Sequence, residues 1–524
     1  MPPDDEAKSA HDDPRPSRLR DGGLHLLEWA RRRVAPPPPG NAVADLVEGR
    51  SDEEIEARRG LPRAAVRGVR SFYDGVARPT EACDGTACHF AGGAALAERL
   101  RAGGAVGAVR CLGHCYAAPS YRRGDSVVAR PIGEALEGWL ETAPSAAGAP
   151  PIPRRSLVEP PVVLRNLVGA GRRSALEEYD LPGGEAILAA IAETGLRGRG
   201  GAAFPTAAKW RAARDAEAGP RYVVANGDEG DPGSYVDRLL LEEDPHAVLA
   251  GMLACARAIG ARHGIVYVRG EYPRARAAMG EAIREARRAA RIGAEFDVEV
   301  VSGAGSYVCG EETALLNSIQ GLRGEPRPRP PYPAEHGLWG RPTVVQNVET
   351  LAVVPWLART GRGSGTKAAS LSGAVARPGV VEVKLGTPLA QVLEEGGGGA
   401  APGRRWRMAL VGGPMGRVVP ASRFAVPVSF EALPGMGHAG IVVLDDSVSP
   451  RALAEHLFRF AAAESCGSCT PCRVGTSQLA SRRDRASLER LLETIEIGSL
   501  CGFGAGVPRP IRDLLEHFGE EVLG

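Results

Sequence analysis

The chain has 524 residues, with 64 lysine and arginine residues against 63 aspartate and glutamate residues, and ten cysteines. At the usual size of roughly 100–200 residues per domain, this length predicts about three or four domains and excludes a small scaffold held by disulfides. The formal net charge of +1 lacks the basic surplus that neutralises a run of phosphates, and we expect no nucleic-acid partner. Without a visible signal peptide or an apolar run of roughly 20 residues, we expect a cytoplasmic protein with no direct membrane insertion.

The first half of the chain divides into three predicted segments. Residues 1–20 are charged and lack an apolar period, which predicts a disordered tail. Residues 21–140 are predicted to hold short helices and then a small α/β domain with a helix over 94–101. Residues 141–162 are rich in alanine, proline and serine, and are predicted to be a linker.

Three further segments follow the linker. Residues 163–360 alternate helical and strand patterns, which predicts an α/β layer with a largely parallel sheet. The predicted helices cover 184–194, 246–259 and 274–290, and the predicted strands cover 222–225, 264–268 and 296–301. Residues 361–447 contain short β runs with Gly-Pro turns and predict a small β-rich domain. Residues 448–524 are predicted to be helical, with cysteines in the loops.

One cysteine group lies near the end of the sequence. Cys466, Cys469 and Cys472 form a C-x2-C-x2-C run, and Cys501 is a remote fourth thiol. Three closely spaced thiolates with a distant fourth are typical of a [4Fe–4S] cluster. Zinc is the alternative, although zinc sites normally use paired C-x2-C hooks.

A second cysteine group lies in the small α/β domain. Cys83 and Cys88 form a C-x4-C pair, and Cys111 and Cys115 form a C-x3-C pair. Two pairs of thiolates suit a [2Fe–2S] cluster, in which each iron takes two cysteines. The spacing alone leaves zinc open as the alternative.

A glycine-rich loop over 195–210 holds Gly198, Gly200 and Gly201. Such glycines let backbone N–H groups approach a phosphate, and Arg199 and Lys209 add positive charge. A predicted helix rather than a strand precedes the loop, so it is not the fingerprint of a classical dinucleotide-binding fold. The loop predicts nucleotide binding of another type, against the alternative of a flexible arginine-rich turn.

Two acidic motifs each follow a predicted strand: NGDEGDPG at 226–233 and YVCGEET at 307–313. Ligands of doubly wound sheets bind at the carboxyl ends of the strands, so both motifs can reach one crevice. Carboxylates there can accept hydrogen bonds from ribityl, ribose or carboxamide groups. Metal binding by Asp228, Glu229 and Asp231 is the alternative.

Together these motifs resemble the NADH-oxidising flavoprotein module of respiratory complex I and its soluble relatives. Residues from about 160 onward are similar to its flavin and NADH-binding subunit, and residues 22–135 are similar to its small thioredoxin-like [2Fe–2S] partner, here fused upstream. The resemblance implies an α/β multidomain fold with four parts. These are an N-terminal helical plus thioredoxin-like domain (21–140), a Rossmann-like α/β FMN/NADH domain (163–360), a β-grasp insert of the soluble-ligand-binding type (361–447) and a C-terminal helical [4Fe–4S] domain (448–524).

The resemblance also implies four cofactors: FMN, NAD(H), a [4Fe–4S] cluster and a [2Fe–2S] cluster. Asp231, Glu311 and Glu312 are implied to position the reactants while FMN performs the chemistry, and Phe204 and Tyr332 are implied to lie near the adenine. The residues implied to bind FMN or NADH are Gly198, Arg199, Gly200, Gly201, Phe204, Lys209, Asn226, Asp228, Glu229, Tyr307, Gly310, Glu311, Glu312, Tyr332, Gln346 and Asn347. The implied cluster ligands are the eight cysteines of the two groups.

Some residues depart from the family pattern. Ala203 and Ala207 stand where the family commonly has glycine, and Gln346 replaces the first residue of a usual asparagine pair. Asp231 replaces a glutamate of the respiratory enzyme, and in this the 226–233 motif looks more like diaphorase subunits of soluble NAD-dependent formate dehydrogenases and hydrogenases. The gap between Cys88 and Cys111 is also shorter than usual in the family.

We therefore expect a diaphorase subunit that transfers hydride between NAD(H) and FMN and single electrons between FMN and the clusters. Its expected partners are iron–sulfur and catalytic subunits of a hetero-oligomeric complex, such as a formate dehydrogenase or hydrogenase. One alternative is the flavoprotein subunit of respiratory NADH:quinone oxidoreductase. The other is a non-catalytic assembly subunit that carries clusters.

Overall fold

The computed structural model describes residues 42–73, 80–169, 175–217, 219–482 and 484–523. The predicted tail over 1–20, and the part of the predicted helical segment before residue 42, lie outside the described residues. Within the described ranges, no helix combines the length and apolar character needed to cross a membrane.

Three short helices begin the described part of the chain: α1 (Ala42–Val47), α2 (Asp52–Arg59) and α3 (Arg63–Arg70). Ser51 caps α2 in a reciprocal capping box with Glu54. The sequence pattern groups these helices with the small α/β domain. Their apolar side chains are instead buried with Val224, Ile265 and Tyr267 of the large sheet, because burial against that apolar face removes both surfaces from water.

The small α/β domain has four strands: β1 (Thr80–Cys83), β2 (Gly107–Val109), β3 (Ser120–Arg123) and β4 (Ser126–Ala129). They pair in the order β2-β1-β3-β4, with β1 and β2 parallel and the other pairs antiparallel. A helical turn (Thr86–Cys88) follows β1. Helices α4 (Ala94–Arg101) and α5 (Leu136–Thr142) pack around Leu96, Tyr121 and Trp139. The predicted helix over 94–101 is confirmed.

The predicted linker over 141–162 contains a strand, β5 (Arg154–Ser156). This strand pairs in parallel with the edge of the β-rich sheet, where Arg154 lies opposite Val380. The backbone of this segment is fixed by ladder hydrogen bonds, which its composition does not reveal.

The large sheet consists of β6 (Tyr222–Gly227), β7 (His263–Val268), β8 (Asp297–Ser302) and β9 (Thr343–Asn347). The strands are all parallel and pair in the order β8-β7-β6-β9. The prediction of a parallel sheet is confirmed, and β9 adds a strand that has no counterpart among the predicted ones. The carboxyl ends of β6, β8 and β9 therefore point to one edge of the sheet.

Helices flank this sheet, and two of them pack very closely. They are α6 (Gly184–Glu193), α7 (Thr206–Asp215), α8 (Val236–Glu243), α9 (Pro245–Ile259), α10 (Pro273–Arg288), α11 (Glu312–Ile319) and α12 (Val348–Thr360), with a short turn at Pro333–His336. A Cβ atom on Gly251 of α9 would lie 2.0 Å from the Leu351 carbonyl oxygen of α12. Glycine at 251 therefore sets the separation of these two buried helices.

The β-rich domain supplies β10 (Thr366–Gly373), β11 (Gly379–Lys384), β12 (Trp406–Val411), β13 (Arg417–Pro420) and β14 (Gly440–Asp445), with a helical turn at Leu389–Gln391. With β5 they form a mixed six-stranded sheet in the order β13-β12-β14-β10-β11-β5. One face covers a separate core that includes Leu371, Val392 and Ile441. The predicted β-rich texture is confirmed.

The C-terminal segment is helical, as predicted. Its helices are α13 (Pro450–Glu464), α14 (Thr470–Gln478), α15 (Arg485–Gly498), α16 (Gly502–Gly506) and α17 (Pro508–Leu523). Leu457, Leu492 and Leu514 are buried in one core with the large α/β domain.

We predict that Gly251→Ala lowers the melting temperature, because the added methyl group has no space between α9 and α12 and overpacking costs about 1–3 kcal/mol. The matched control is Gly280→Ala in α10, where the nearest atom lies 3.7 Å from the added Cβ. Alanine at that helical position is expected to be neutral or to stabilise by up to about 1 kcal/mol. Equal melting temperatures of the two variants would contradict the predicted close contact.

Candidate functional site

The sequence motifs meet at the carboxyl edge of the large sheet. The Asn226 side-chain amide at the end of β6 donates to the Gly310 carbonyl oxygen after β8, at 2.9 Å. The glycine-rich loop reaches the end of β9, since a Cβ atom on Gly200 would lie 2.9 Å from the Asn347 Cβ. The glycine loop, both acidic motifs and the end of β9 therefore line one crevice.

Backbone contacts join the two ends of the glycine loop just before α7. The Gly198 N–H donates to the Phe204 carbonyl oxygen at 2.9 Å, and an antiparallel bridge joins Arg197 to Pro205. Gly201 has a φ of 125°, a conformation that a residue with a side chain rarely adopts. The backbone at Gly200 and Gly201 is therefore held in a tight turn beside the crevice, and a side chain at 200 would fill the space against Asn347.

The two positive charges predicted for this loop lie in different places. The Arg199 side chain is buried: Nη2 donates to Ser364 Oγ at 2.6 Å, and Nη1 lies 3.4 Å from a carboxylate oxygen of Glu349. Its backbone N–H donates to Thr350 Oγ1 at 2.9 Å. The structure therefore does not bring Arg199 to the open crevice, because the buried Glu349 carboxylate needs a counter-charge.

The Lys209 amino group lies between β9 and the second acidic motif. Its Nζ donates to a Glu312 carboxylate oxygen and to the Val345 carbonyl oxygen, both at 3.1 Å. Arg329 donates to the other Glu312 oxygen at 3.1 Å. Lys209 is thus the half-buried cation of the loop, and it is paired with the half-buried carboxylate of Glu312.

Two of the predicted carboxylates cap helices. Glu229 is completely buried and accepts hydrogen bonds from the backbone N–H groups of Asp237 and Arg238, at 3.1 and 3.0 Å. Glu311 accepts from the backbone N–H groups of Thr313 and Ala314, at 3.0 and 2.9 Å. Burial, with the nearby Asp237, raises the pKa of Glu229 to about 7. These carboxylates accept hydrogen bonds from the N–H groups at the starts of α8 and α11, which have no acceptor within their own helix.

Asp228 differs from its neighbours because one oxygen, Oδ2, is buried and has no hydrogen-bond partner among the described residues. Burial raises the pKa of this carboxyl to about 8, and the positive charge of Arg269 offsets the increase only in part. A buried polar atom without a partner is costly. Asp228 therefore suits a ligand that brings a hydroxyl or amide group to the crevice.

Asp231 is held from two sides. The Tyr307 hydroxyl donates to Asp231 Oδ1 at 2.5 Å, and His438 Nδ1 lies 3.2 Å from Asp231 Oδ2. His438 comes from the loop before β14 in the β-rich domain. No sequence signal points to this residue, since it is a lone histidine in a Gly-Met-Gly-His-Ala-Gly stretch with no motif around it.

The remaining predicted residues are two exposed aromatic residues and the last two residues of β9. Phe204 and Tyr332 are large aromatic residues with exposed fractions of 52% and 54%. Gln346 is buried, and its side-chain oxygen lies 3.4 Å from the indole Nε1 of Trp210. Asn347 caps α12 by accepting from the Thr350 backbone N–H at 3.1 Å. Phe204 and Tyr332 therefore each offer an exposed ring that can stack on a planar base.

Metal binding by the acidic loop is not supported. Glu229 uses its oxygens on backbone N–H groups, and Asp231 is occupied by Tyr307 and His438. Across the described ranges, one group of three side chains could supply ligand atoms to a metal ion. It consists of Asp84, His89 and His456, whose ligand atoms all lie within 4.8 Å of one another.

That group is already hydrogen-bonded to two guanidinium groups. Arg110 donates to Asp84 Oδ2 at 2.9 Å, and Arg459 contacts His89 Nε2 at 3.3 Å. Two positive charges at these ligand atoms oppose a cation. The group instead joins the small domain to α13, where His456 stacks on His89 with ring centroids 4.5 Å apart.

The C-terminal cysteines sit at the starts of two helices. Cys469 and Cys501 are the residues before α14 and α16, Cys472 lies inside α14 and Cys466 precedes it. Burial raises the pKa of Cys472 to about 12 and that of Cys501 to about 11, so these thiols need a metal to become thiolates.

The four cysteines of the small domain are buried, and one pair is in close contact: the sulfurs of Cys111 and Cys115 are 3.6 Å apart. Cys83 interacts with Cys88 and Cys111. The Gly233 N–H of the first acidic motif donates to Cys115 Sγ at 3.3 Å. The cysteine loop is thus packed directly on the loop that lines the crevice.

Arginines of the large domain reinforce this contact. Arg238 donates to the Gly113 carbonyl oxygen at 2.7 Å, and Arg269 donates to the Cys111 carbonyl oxygen at 2.8 Å. Both side chains are buried. The small domain therefore packs directly against the loop that lines the crevice and against the large domain.

Family comparisons agree with this division of the chain. Residues 191–356 match the Nuo51 FMN-binding domain, residues 369–419 the SLBB domain, and residues 452–523 the NADH-ubiquinone oxidoreductase-F iron-sulfur binding region. The three matches fall on the large α/β domain, the β-rich domain and the C-terminal helices.

Similar proteins are found among curated sequences and solved structures. The chain is 39% identical over 410 residues to the second F-type subunit of NADH-quinone oxidoreductase in Rhizobium meliloti, and the match covers 69% of this chain and 97% of that protein. It is 38% identical over 367 residues to the NADP-reducing hydrogenase subunit HndC of Solidesulfovibrio fructosivorans, covering 64% and 75%. A chain of the air-oxidised NAD+-reducing [NiFe]-hydrogenase superposes with a TM-score of 0.82 at 34% identity, covering 94% of each chain.

We predict that the flavin-free protein loses stability as pH rises, with Asp228 as one cause. The folded-state pKa of about 8 lies above the ordinary value of about 3.9, so the folded state holds the extra proton between these limits. Stability is then lost as pH rises from about 4 to about 8, by up to about 1.4 kcal/mol per pH unit for this group.

The measurement is denaturant unfolding of the flavin-free protein between about pH 5 and 8. Asp228→Asn is expected to have a flatter pH dependence than the wild type, since the amide does not titrate. The control, Asp446→Asn, changes a half-exposed carboxylate and is expected to leave the slope unchanged. Parallel curves for the wild type and Asp228→Asn would contradict the buried, protonated state of Asp228.

Proposed function

The chain belongs to the family of NADH-binding flavoprotein subunits found in complex I and NAD-reducing hydrogenases, and we propose that it exchanges hydride with NAD(H) through FMN and passes single electrons to iron–sulfur clusters. The identity of 39% over 97% of an F-type relative supports this activity. The match of residues 191–356 to an FMN-binding domain and of 452–523 to an iron–sulfur region supports the two cofactors.

The observation that carries the proposal is the crevice at the carboxyl edge of the large sheet. The glycine loop turns tightly against Asn347 there, and Asp228 offers a buried oxygen without a partner among the described residues. A flavin mononucleotide has both a phosphate for such a loop and ribityl hydroxyl groups for such a carboxyl. When bound, FMN accepts hydride from the nicotinamide and releases the electrons singly, which the side chains cannot do by themselves.

The side chains then have distinct roles in binding. Lys209 supplies positive charge beside the phosphate, and Asn226 and Gly310 join the two acidic loops around the flavin. Glu229 and Glu311 act indirectly, as caps that hold the loops at the starts of α8 and α11. Arg199 fixes the glycine loop through its buried contacts with Ser364 and Glu349. Tyr307 is held by its hydrogen bond to Asp231, and Gln346 accepts a hydrogen bond from Trp210.

NADH is proposed to bind with its adenine against two exposed aromatic side chains. Phe204 and Tyr332 are exposed and can stack on the adenine, as aromatic side chains do on planar bases. Glu312, between Lys209 and Arg329, can accept a hydrogen bond from a ribose hydroxyl, and Asp231 lies on the acidic loop where the nicotinamide end would rest. These groups orient the dinucleotide.

Cys466, Cys469, Cys472 and Cys501 are proposed to bind the [4Fe–4S] cluster. Cys83, Cys88, Cys111 and Cys115 are proposed to bind a [2Fe–2S] cluster in a thioredoxin-like domain. The Cys111 and Cys115 sulfurs, 3.6 Å apart, support two thiolates on one iron.

We propose that the complex is a soluble NAD-dependent hydrogenase or formate dehydrogenase in the cytoplasm, with separate iron–sulfur and catalytic subunits. Coverage of 94% of both chains supports the hydrogenase comparison, because it includes the small domain that precedes the FMN domain. The second candidate is the F-type flavoprotein of NADH-quinone oxidoreductase. It is supported by the relative in Rhizobium meliloti, whose match covers 69% of this chain.

The proposal is tested by anaerobic purification followed by flavin and iron analysis and NADH titration with electron paramagnetic resonance. We expect one FMN, about six iron atoms and two cluster signals per chain. Cys472→Ser is expected to remove about four iron atoms and Cys88→Ser about two. Protein without flavin and without NADH-driven dye reduction would favour the non-catalytic assembly role.

We predict that Lys209→Gln weakens FMN binding about 10-fold to 100-fold, because a hydrogen bond to a charged group contributes about 1.5–3 kcal/mol. The measurement is the FMN dissociation constant by fluorescence titration. The matched control is Arg214→Gln on the same helix, whose guanidinium pairs with Glu185 and Asp215 at the surface. An equal effect of both variants would contradict a specific role of Lys209.

A further inference from the structure

His438 brings a side chain of the β-rich domain into the crevice of the FMN domain. Its side chain, 14% exposed, lies between two carboxylates, with Nδ1 at 3.2 Å from Asp231 Oδ2 and Nε2 at 3.4 Å from Asp237 Oδ2. The two carboxylates belong to different elements: Asp231 to the acidic loop after β6, and Asp237 to the first turn of α8. One imidazole therefore joins both.

The two flanking carboxylates favour a charged ring. A neutral imidazole has one N–H donor and one lone pair, and the lone pair would face a carboxylate oxygen here. Both nitrogens have a donor role only in the imidazolium form. Burial alone would lower the pKa of His438, but the hydrogen bonds to Asp231 and Asp237 outweigh it and hold the pKa well above its ordinary value.

The backbone of His438 is fixed by a buried lysine of β10. Lys367 Nζ donates to the His438 carbonyl oxygen at 2.9 Å and to Glu349 Oε2 at 2.5 Å. Lys367 is completely buried. A Cβ atom on Gly437 would lie 3.3 Å from Asp231 Oδ2, so the residue before His438 has to be small for the ring to reach this depth.

Each carboxylate that His438 contacts also holds a residue of the proposed flavin site. Asp231 accepts from the Tyr307 hydroxyl, and Asp237 accepts from the Asn347 side-chain amide at 2.6 Å. The positive charge of His438 also acts on Asp228 and Glu229, the other two acids of the loop. Without this charge, the carboxylates of Asp231 and Asp237 would repel the two anionic molecules that are proposed to bind beside them.

We propose that His438 is a positioning residue of the flavin–nicotinamide site, which orients Asp231 and Asn347 and supplies the counter-charge of the acidic loop. The inference rests on the proposed function. It assigns to the β-rich domain a direct part in binding FMN and NADH, beyond its role as a neighbouring fold.

The test compares His438→Asn with the control His263→Asn, which changes an exposed histidine at the opposite, amino end of β7. The readouts are the FMN dissociation constant, the flavin midpoint potential, the KM for NADH, the iron content and the melting temperature. We expect His438→Asn to weaken FMN binding and to raise the KM for NADH, each by about tenfold or more. The flavin midpoint potential is expected to become more negative, since a nearby positive charge favours the reduced, anionic flavin.

A double-mutant cycle with Asp231→Asn isolates the pair. The effect of Asp231→Asn on the KM for NADH is expected to be much smaller in the His438→Asn background than in the wild type, because the two side chains act as one unit. Iron content is expected to equal that of the wild type. A structural role alone would change the melting temperature and leave the flavin potential unaltered.

The outcomes separate the two proposals. Wild-type protein that binds no FMN would overturn the proposed function and this inference together. A wild type that binds FMN and reacts with NADH, beside a His438→Asn variant with the same FMN affinity and flavin potential, would overturn the inference alone. If His438→Asn loses both its melting transition and its iron, the milder His438→Gln variant decides by the same criteria.

Discussion

Three helices begin at one edge of the large sheet, and the need to satisfy their first N–H groups shapes the whole crevice. Glu229 caps α8, Glu311 caps α11 and Asn347 caps α12. Glu229 lies two residues after β6, Asn347 is the last residue of β9, and Glu311 lies in the loop that follows β8, so the acidic motifs are held by the backbone they stabilise. These hydrogen bonds hold the crevice together before any ligand binds, and Asp228 Oδ2, which has no partner among the described residues, remains for the ligand.

A buried ionic network connects this edge to the β-rich domain. Glu349, at the start of α12, faces Arg199 of the glycine loop and Lys367 of β10, and all three side chains are buried. Removing one partner of such a network leaves an uncompensated buried charge, which is strongly destabilising. The glycine loop, the FMN domain and the β-rich domain thus hold one another in register, and His438 extends the same contact toward the acidic loop.

The sequence predicts the features that depend on local pattern. The parallel sheet, the helix over 94–101, the C-terminal helices and the meeting of the motifs at one edge follow from periodicity and from the rule for carboxyl ends of strands. The motifs also mark Arg199, Glu229 and Glu311 as important residues. Their actual partners depend on distant segments or on the helix that follows, and spacing does not contain this information.

Three features lie beyond sequence reasoning for physical reasons. The strand β5 is polar and three residues long, and it forms only because β11 offers an open edge. The helices α1 to α3 show an apolar face but not which surface that face covers. His438 carries no motif, and its importance arises from two carboxylates that approach it from another domain.

The central claim is that the crevice at the carboxyl edge of the large sheet holds FMN. The most direct measurement is an experimental structure of the anaerobically purified holoprotein. The account predicts flavin density in this crevice, with a hydroxyl or amide group of the cofactor within hydrogen-bond distance of Asp228 Oδ2 and the phosphate near Gly200 and Lys209. A flavin bound elsewhere, or Asp228 Oδ2 still without a partner beside a bound flavin, would contradict it.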